Sequence, residues 1–217
     1  MAKIFDSTQE NFLTLFGKNS SSSNFYLSGG TALCEFYIPY RFSEDLDFFS
    51  EKEFEIESII IWLKSIQGDL KYKNIDIQKS FNRNLIFLEF SSHTLKTEFT
   101  YYPFQRLEKR ENHYGVQIDS IIDIAVNKLF TIYQKPRSRD FTDLYSIKQK
   151  YSFTIENLIM KAKFKFDWHV DPLTLGARFL EITQLKDYPQ FIGVFNKEKC
   201  EKYFIYEAKK LKKEILS

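Results

Sequence analysis

The chain has 217 residues, of which 43% are hydrophobic and 28% charged, with a formal net charge of +2. That length buries a sizeable core in one large domain or two small ones, and the balanced charge excludes a histone-like electrostatic binder of nucleic acid. Two distant cysteines in no CxxC pair exclude a zinc ribbon or disulfide framework. The first residues hold no signal-peptide core, and no apolar run approaches 18 residues, so a cytoplasmic protein without a membrane partner is expected.

In chain order, residues 7–17 form a short amphipathic helix with Phe12, Leu13, Leu15 and Phe16 on its apolar side. "GKNSSSSN" is a loop, and "NFYLS" (24–28) is a buried strand ended by Gly29 and Gly30. "TALCEFYI" is helical until Pro39 stops it. "EDLDFFS" (44–50) alternates acid and apolar residues with period two, and 53–66 is a helix carrying Trp62 in the core. Three strand-like runs, 72–80, 84–92 and 94–102, read as an antiparallel meander with turns at "FNRN" and "SSH". The polar "EKRENHYG" (108–115) marks a boundary, after which the period is helical over 119–134, 140–149, 154–165, 173–185 and 198–216. The expected organisation is an α/β unit over 1–115 followed by a helical unit over 116–217.

Asp45 and Asp47 are two apart on a strand, which places them on one face with backbones roughly 6–7 Å apart. Two such carboxylates suit a hard divalent cation of the Mg²⁺ type that also binds substrate phosphates. The bland alternative is a strand edge guarded by acids. Gly29 and Gly30 join a strand to a helix, where free backbone N–H groups meet phosphate oxygens, with the Ser28 and Thr31 hydroxyls beside them. Here the alternative is an ordinary turn. Together the two features are more specific than either alone, and Arg41 and Ser43 lie just before the acids, within reach of phosphate. Glu98 offers a third carboxylate, on a face shared with Lys96 and Thr100, with Glu89 as its competitor. Basic runs at Lys135, Arg137 and Arg139 and in the C-terminal "AKKLKK" read either as polyanion contacts or as solvated helix faces. His93, His113 and His169 have no metal-like spacing.

This order of motifs resembles the DNA polymerase-β-type nucleotidyltransferase superfamily. More narrowly, "GGTAL", "RFSEDLDFF", "LKTEF" and "NKLFTIYQKPRSRDFTDLY" resemble the AbiEii/AbiGii-type nucleotidyltransferases, several of which are toxins of bacterial toxin–antitoxin or abortive-infection systems. The resemblance covers roughly residues 24–150. It implies an α+β fold, with an N-terminal polymerase-β-like core of mixed sheet and flanking helices and a C-terminal helical region. It assigns Gly29 and Gly30 to the phosphate turn, Asp45 and Asp47 to the metal pair, and Glu98 to the third acid. Lys128 would meet a triphosphate oxygen, and Asp140 would border the nucleotide cleft. Against these stand structural readings: Asp140 as a helix N-cap, and Arg139 as the ion-pair partner of Asp143. The implied reaction is Mg²⁺-dependent (or Mn²⁺-dependent) transfer of NMP from an NTP to a hydroxyl of RNA, such as a tRNA end, or of protein, with a cognate antitoxin as partner. The competing readings are a catalytically silent nucleotide- or antitoxin-binding protein and a kinase-like phosphotransferase.

Overall fold

Strand alternation sets the layout of the first half of the chain. The computed structural model describes residues 4–216. Its sheet is mixed and seven-stranded: β1 (Tyr26–Ser28), β2 (Leu46–Ser50), β3 (Asn74–Ser80), β4 (Arg83–Glu89), β5 (Thr94–Tyr101), β6 (Glu111–His113) and β7 (Val116–Ile118), in the order β3-β4-β5-β2-β1-β7-β6. The meander β3–β4–β5 is antiparallel. β2 lies parallel to β5 and antiparallel to β1, and β7 adds to β1 in parallel. On β2, Leu46, Phe48 and Ser50 are buried, while Asp47 and Phe49 point to the other face. Phe48 stacks on Phe99 of β5 at a centroid distance of 4.9 Å, and Phe16 reaches Phe48 at 4.8 Å. Phe12, Phe25 and Trp62 complete this aromatic core, which joins one sheet face to helices α1 (Ser7–Gly17) and α3 (Ile56–Ser65). Each of these buried phenylalanines contributes about 1.5–3 kcal/mol, and Trp62 is half-buried at the edge of the cluster. Because the phenylalanines take that face, Asp47 and Glu98 are left on the opposite one.

Helix α1 begins in a capping box: Asp6 accepts from the Gln9 backbone, and the Gln9 side chain accepts from the Asp6 backbone. The Gln9 amide also donates to the carbonyls of Ser43 and Glu44, fixing the approach to β2. The helix expected after Gly30 forms in two pieces, α2 (Gly29–Ala32) and a wider π-type turn over Leu33–Tyr37, and stops before Pro39. Helix α3 starts at Ile56, three residues later than the periodicity suggests, and is followed by a short α4 (Gln67–Leu70). The polar stretch 108–115 carries β6 and a two-residue turn. Tyr114 and Gly115 both have positive φ, 55° and 78°, as a type I′ hairpin requires.

By its internal contacts the chain divides into two compact units. The first comprises Met1–Pro39, Ser43–Gln105 and Lys109–Ser120, and the second Tyr40–Phe42, Arg106–Glu108 and Ile121–Ser217. The second unit holds α5 (Ile121–Gln134), α6 (Ser138–Lys150), α7 (Ile155–Phe166), α8 (Pro172–Leu180) and α9 (Lys197–Leu216). Thr154 caps α7, and Asp171 caps α8 with Pro172 at the first helical position. Phe141, Phe179 and Phe204 pack together in its core. In the same unit Lys165 and Asp123 form a fully buried ion pair at 2.6 Å, and Asp123 also accepts from the backbone of Leu107 and Glu108. Among the described residues no helix is long and apolar enough to cross a membrane.

Candidate active site

Register assembles the acidic face. Asp47 lies opposite Glu98 in the parallel β2–β5 pair and opposite Ser28 in the antiparallel β1–β2 pair. Directly after β7, Asp119 donates its backbone N–H to the Leu27 carbonyl, and its carboxylate accepts from Ser28 Oγ at 2.8 Å. Glu98, Asp47, Ser28 and Asp119 therefore form one row across four neighbouring strands. Gly29 begins α2 at φ +74°, and a methyl group added there would meet Asp47 Oδ2 at 2.7 Å. Only glycine lets the turn backbone lie so close under the Asp47 carboxylate.

Each carboxylate has neighbours of its own. Arg83 grips Glu98 with a fork, Nε to Oε1 at 2.8 Å and Nη2 to Oε2 at 2.6 Å, and Thr100 Oγ1 donates to Oε1 at 2.7 Å. Burial works against the Glu98 charge, but Arg83 and Thr100 outweigh it and hold the carboxyl below its usual range. Glu98 in turn raises the Arg83 guanidinium, and Asp47 adds to that. Lys96 Nζ sits 2.6 Å from Asp45 Oδ2, with both side chains about a third exposed (32% and 34%). Thr31 Oγ1 donates to the Asp45 carbonyl and lies 2.7 Å from Ser43 Oγ. The Thr31 and Ser43 hydroxyls thus brace the loop that presents Asp45, while Ser28 holds Asp119. Glu89 is exposed at the far end of β4 and accepts from Asn74.

Arg41, Lys128 and Asp140 belong to the second unit, where they form a buried charge network. Arg41 forks onto Asp143, with Nε at 2.7 Å and Nη2 at 2.9 Å. Lys128 Nζ bridges Asp140 at 2.9 Å and Asp143 at 2.6 Å, and Arg137 closes the cluster on Asp140 at 2.6 Å. Tyr40 donates to the same Asp143. Burial disfavours the Lys128 charge, but Asp140 and Asp143 hold the ammonium above its usual range. Burial likewise disfavours the Asp143 charge, yet Arg41 and Lys128 hold its carboxyl well below the ordinary carboxylate range. Two structural readings from the sequence are corrected here. Arg137 is the N-cap residue of α6, with Asp140 inside the helix, and Asp143 is held by Arg41 and Lys128 instead of Arg139.

Sequence reasoning passed over Arg83 and Asp119. Arg83 sits in "FNRN", read as a turn, but it is the first residue of β4 and lies opposite Thr100. Asp119 follows a three-residue strand too short to show a period. Its only signal is an acid between an apolar run and a helix.

Three comparisons bear on this geometry. Residues 12–197 match the family described as nucleotidyl transferase AbiEii toxin, type IV TA system. An uncharacterized protein of Aquifex aeolicus (strain VF5) is 31% identical over 190 residues, which is 83% of this chain and 88% of that protein. The crystal structure of a Helicobacter pylori protein described as a candidate nucleotidyltransferase superposes with a TM-score of 0.61 at 20% identity, covering 95% of this chain and 92% of that one. That of JHP933 from Helicobacter pylori gives a TM-score of 0.59 at 21% identity, covering 95% and 90%. At these identities the two structures bear on fold alone.

Proposed function

The chain belongs to the nucleotidyl transferase AbiEii toxin family, and from that premise we propose that it transfers NMP from an NTP to an acceptor hydroxyl, as the toxin of a toxin–antitoxin or abortive-infection pair. The observation that carries the reading is the placement of Asp47 opposite Glu98 and directly over Gly29. It sets two carboxylates beside a glycine turn, the arrangement nucleotidyl transfer needs. Asp47 and Glu98 lie on one sheet face, while Asp45, expected on the strand, sits in the loop just before β2; among the described residues the three acids do not close into a metal-holding group, but as oxygen donors they suit Mg²⁺ or Mn²⁺ in kind with phosphate oxygens completing the shell. These three residues would hold the metal, which when bound neutralises phosphate charge and aligns the leaving group. Gly29 and Gly30 receive the triphosphate with backbone N–H groups, while Thr31 ties the helix after that turn to Ser43 and Asp45 and Ser28 holds Asp119. The acceptor oxygen attacks the α-phosphorus, the bond to the β-phosphate oxygen breaks, pyrophosphate leaves and the acceptor proton is released. As a residue that would hold the metal, Glu98 acts here by charge and position more than as a base. Within the second unit, the network of Arg41, Lys128 and Arg137 with Asp140 and Asp143 has three cations and two carboxylates, leaving one positive charge in excess.

The acceptor proposed is RNA, with a tRNA end as the first candidate. Its support is the charge of the second unit, which carries an excess of seven positive charges while the first carries an excess of five negative. A protein hydroxyl is the alternative acceptor. The test is incubation with each α-labelled NTP, Mg²⁺ and total RNA or lysate, reading labelled product and pyrophosphate. Asp45→Ala and Asp47→Ala are each expected to abolish label transfer while leaving the circular dichroism spectrum unchanged. Wild-type transfer by a folded double variant would sink the proposal. Growth arrest on expression, relieved by Asp47→Ala, is the expected sign of the toxin role.

One observation favours a second reading, a nucleotide- or antitoxin-binding protein without turnover. The Glu98 and Asp45 carboxylates are engaged by Arg83 and Lys96, an arrangement that holds these acids in ion pairs. Divalent-dependent NTP binding with no product from any RNA or lysate would favour it.

A further inference from the structure

Two of the three candidate metal-binding carboxylates already have a cation. Glu98 spends both oxygens on the Arg83 fork and shares Oε1 with Thr100. Asp45 Oδ2 is taken by Lys96. A divalent ion needs those same lone pairs, so cation and metal compete for one set of acceptors. The competition is also visible as charge: Asp45, Asp47 and Glu98 against Arg83 and Lys96 leave −1, with Asp119 of the same row set against Arg110 at 3.4 Å, modest attraction for a free divalent ion. Neither cation is locked in place. The Arg83 side chain is 56% exposed and the Lys96 side chain 32% exposed, so both heads can turn without being buried or stripped of water. They stand on the sheet face that carries Asp47 and Glu98, since Lys96 and Glu98 are two apart on β5 and Arg83 lies opposite Thr100.

We propose that Arg83 and Lys96 are exchangeable counter-cations of this site. In the structure they neutralise Glu98 and Asp45. When metal and nucleotide arrive together, they give up those carboxylates and turn onto the phosphate oxygens. For Glu98 and Asp45 the exchange keeps every charge paired at both stages: each carboxylate would trade a side-chain cation for metal, and each cation a carboxylate for phosphate. It follows that free metal binds poorly and metal with nucleotide binds well, so the face discriminates against a bare divalent ion. Lys96, held by a single contact to the part-exposed Asp45, gives way first. Arg83, forked onto a buried partner, gives way last and sets the affinity threshold. This inference rests on the metal–nucleotide reading of the site given above.

The test uses the full chain with Mn²⁺ as probe, free ion being counted by electron paramagnetic resonance, and reads NTP binding with and without Mn²⁺. Arg83→Gln and Lys96→Met each free a carboxylate and remove a phosphate partner. Mn²⁺ alone is expected to bind them about tenfold more tightly than wild type, and NTP in the presence of Mn²⁺ about tenfold more weakly, the size of losing one unit charge a few ångströms away. Arg83→Lys and Lys96→Arg keep the charge, and for these Mn²⁺ alone is expected to stay near the wild-type level. Unchanged or weaker Mn²⁺ binding in both neutral variants overturns the exchange, as does equal tightening in the charge-keeping ones. Absence of NTP uptake by the wild type with Mn²⁺ strikes at the functional reading itself. Uptake by the wild type with no shift in the variants strikes at the exchange alone.

Discussion

Gly29 meets two demands at once. Its φ of +74° lies where a side chain costs ~1–2 kcal/mol, and an added methyl would sit 2.7 Å from Asp47 Oδ2. The obstructing atom is the end of a side chain, so the fold can survive the substitution by pushing the carboxylate aside. Gly29→Ala should therefore lower the melting temperature by only a few degrees, in line with ~1–2 kcal/mol, while misplacing Asp47 by enough to cost about a hundredfold in transfer rate. A thermal melt beside a pyrophosphate-release assay measures both. Wild-type turnover in a folded Gly29→Ala protein would remove Asp47 from the centre of the site. Arg83 makes the complementary point. Its surroundings are invisible in "FNRN", because the partner that gives it meaning stands 15 residues away, across a strand register.

At the scale of elements, what was legible in the sequence was what is local. The α1 and α3 helices, the period-two pattern of β2 and the three-stranded meander follow from spacing that each segment carries by itself. The β6–β7 hairpin was not legible: its strands are three residues each, and "ENH" is polar because it is exposed. The alternation of β2 correctly separated Asp47 from Phe48, but which strand faces Asp47 is a long-range fact that no local pattern holds. The α6 network shows the same division. Helical spacing places Asp140 and Asp143 on one face, yet their partners come from a loop at Arg41 and a different helix at Lys128. Asp143→Asn would leave Arg41 and Lys128 short of a buried counter-charge, at a cost of about 3–5 kcal/mol. A folded carboxyl depressed below its unfolded value stabilises fully above the ordinary aspartate range near 3.9 and loses that contribution as pH falls through the folded value. The wild-type advantage over Asp143→Asn in urea unfolding should thus be constant from about pH 5 to 8 and shrink below about pH 4. An advantage unchanged at pH 3 would contradict the ion-pair account.

At the scale of the whole molecule, a net charge of +2 conceals a division. The second unit holds 20 Lys and Arg against 13 Asp and Glu, and the first holds 11 against 16. In the second unit Asp123, Asp140 and Asp143 are buried with their partners, so much of its acid never faces solvent while most of its lysines do. A surface with that imbalance binds polyanions by releasing counter-ions, and such binding weakens steeply as salt rises. RNA binding by the full chain should therefore fall on a log–log plot against salt, by a slope of ~0.7 for each phosphate neutralised on a single strand. Lys150 and Lys163 are exposed on α6 and α7, apart from the charge network. The double variant Lys150→Glu, Lys163→Glu should bind RNA about tenfold or more weakly at 50 mM salt, with a shallower slope, and should bind NTP as wild type does. Filter binding over a salt series, beside equilibrium dialysis with NTP, separates the two effects. A salt-insensitive RNA affinity, or one the charge reversal leaves untouched, would move the acceptor from RNA to protein. Loss of NTP binding together with RNA binding would mean that the helical unit's charge serves the nucleotide and not the acceptor.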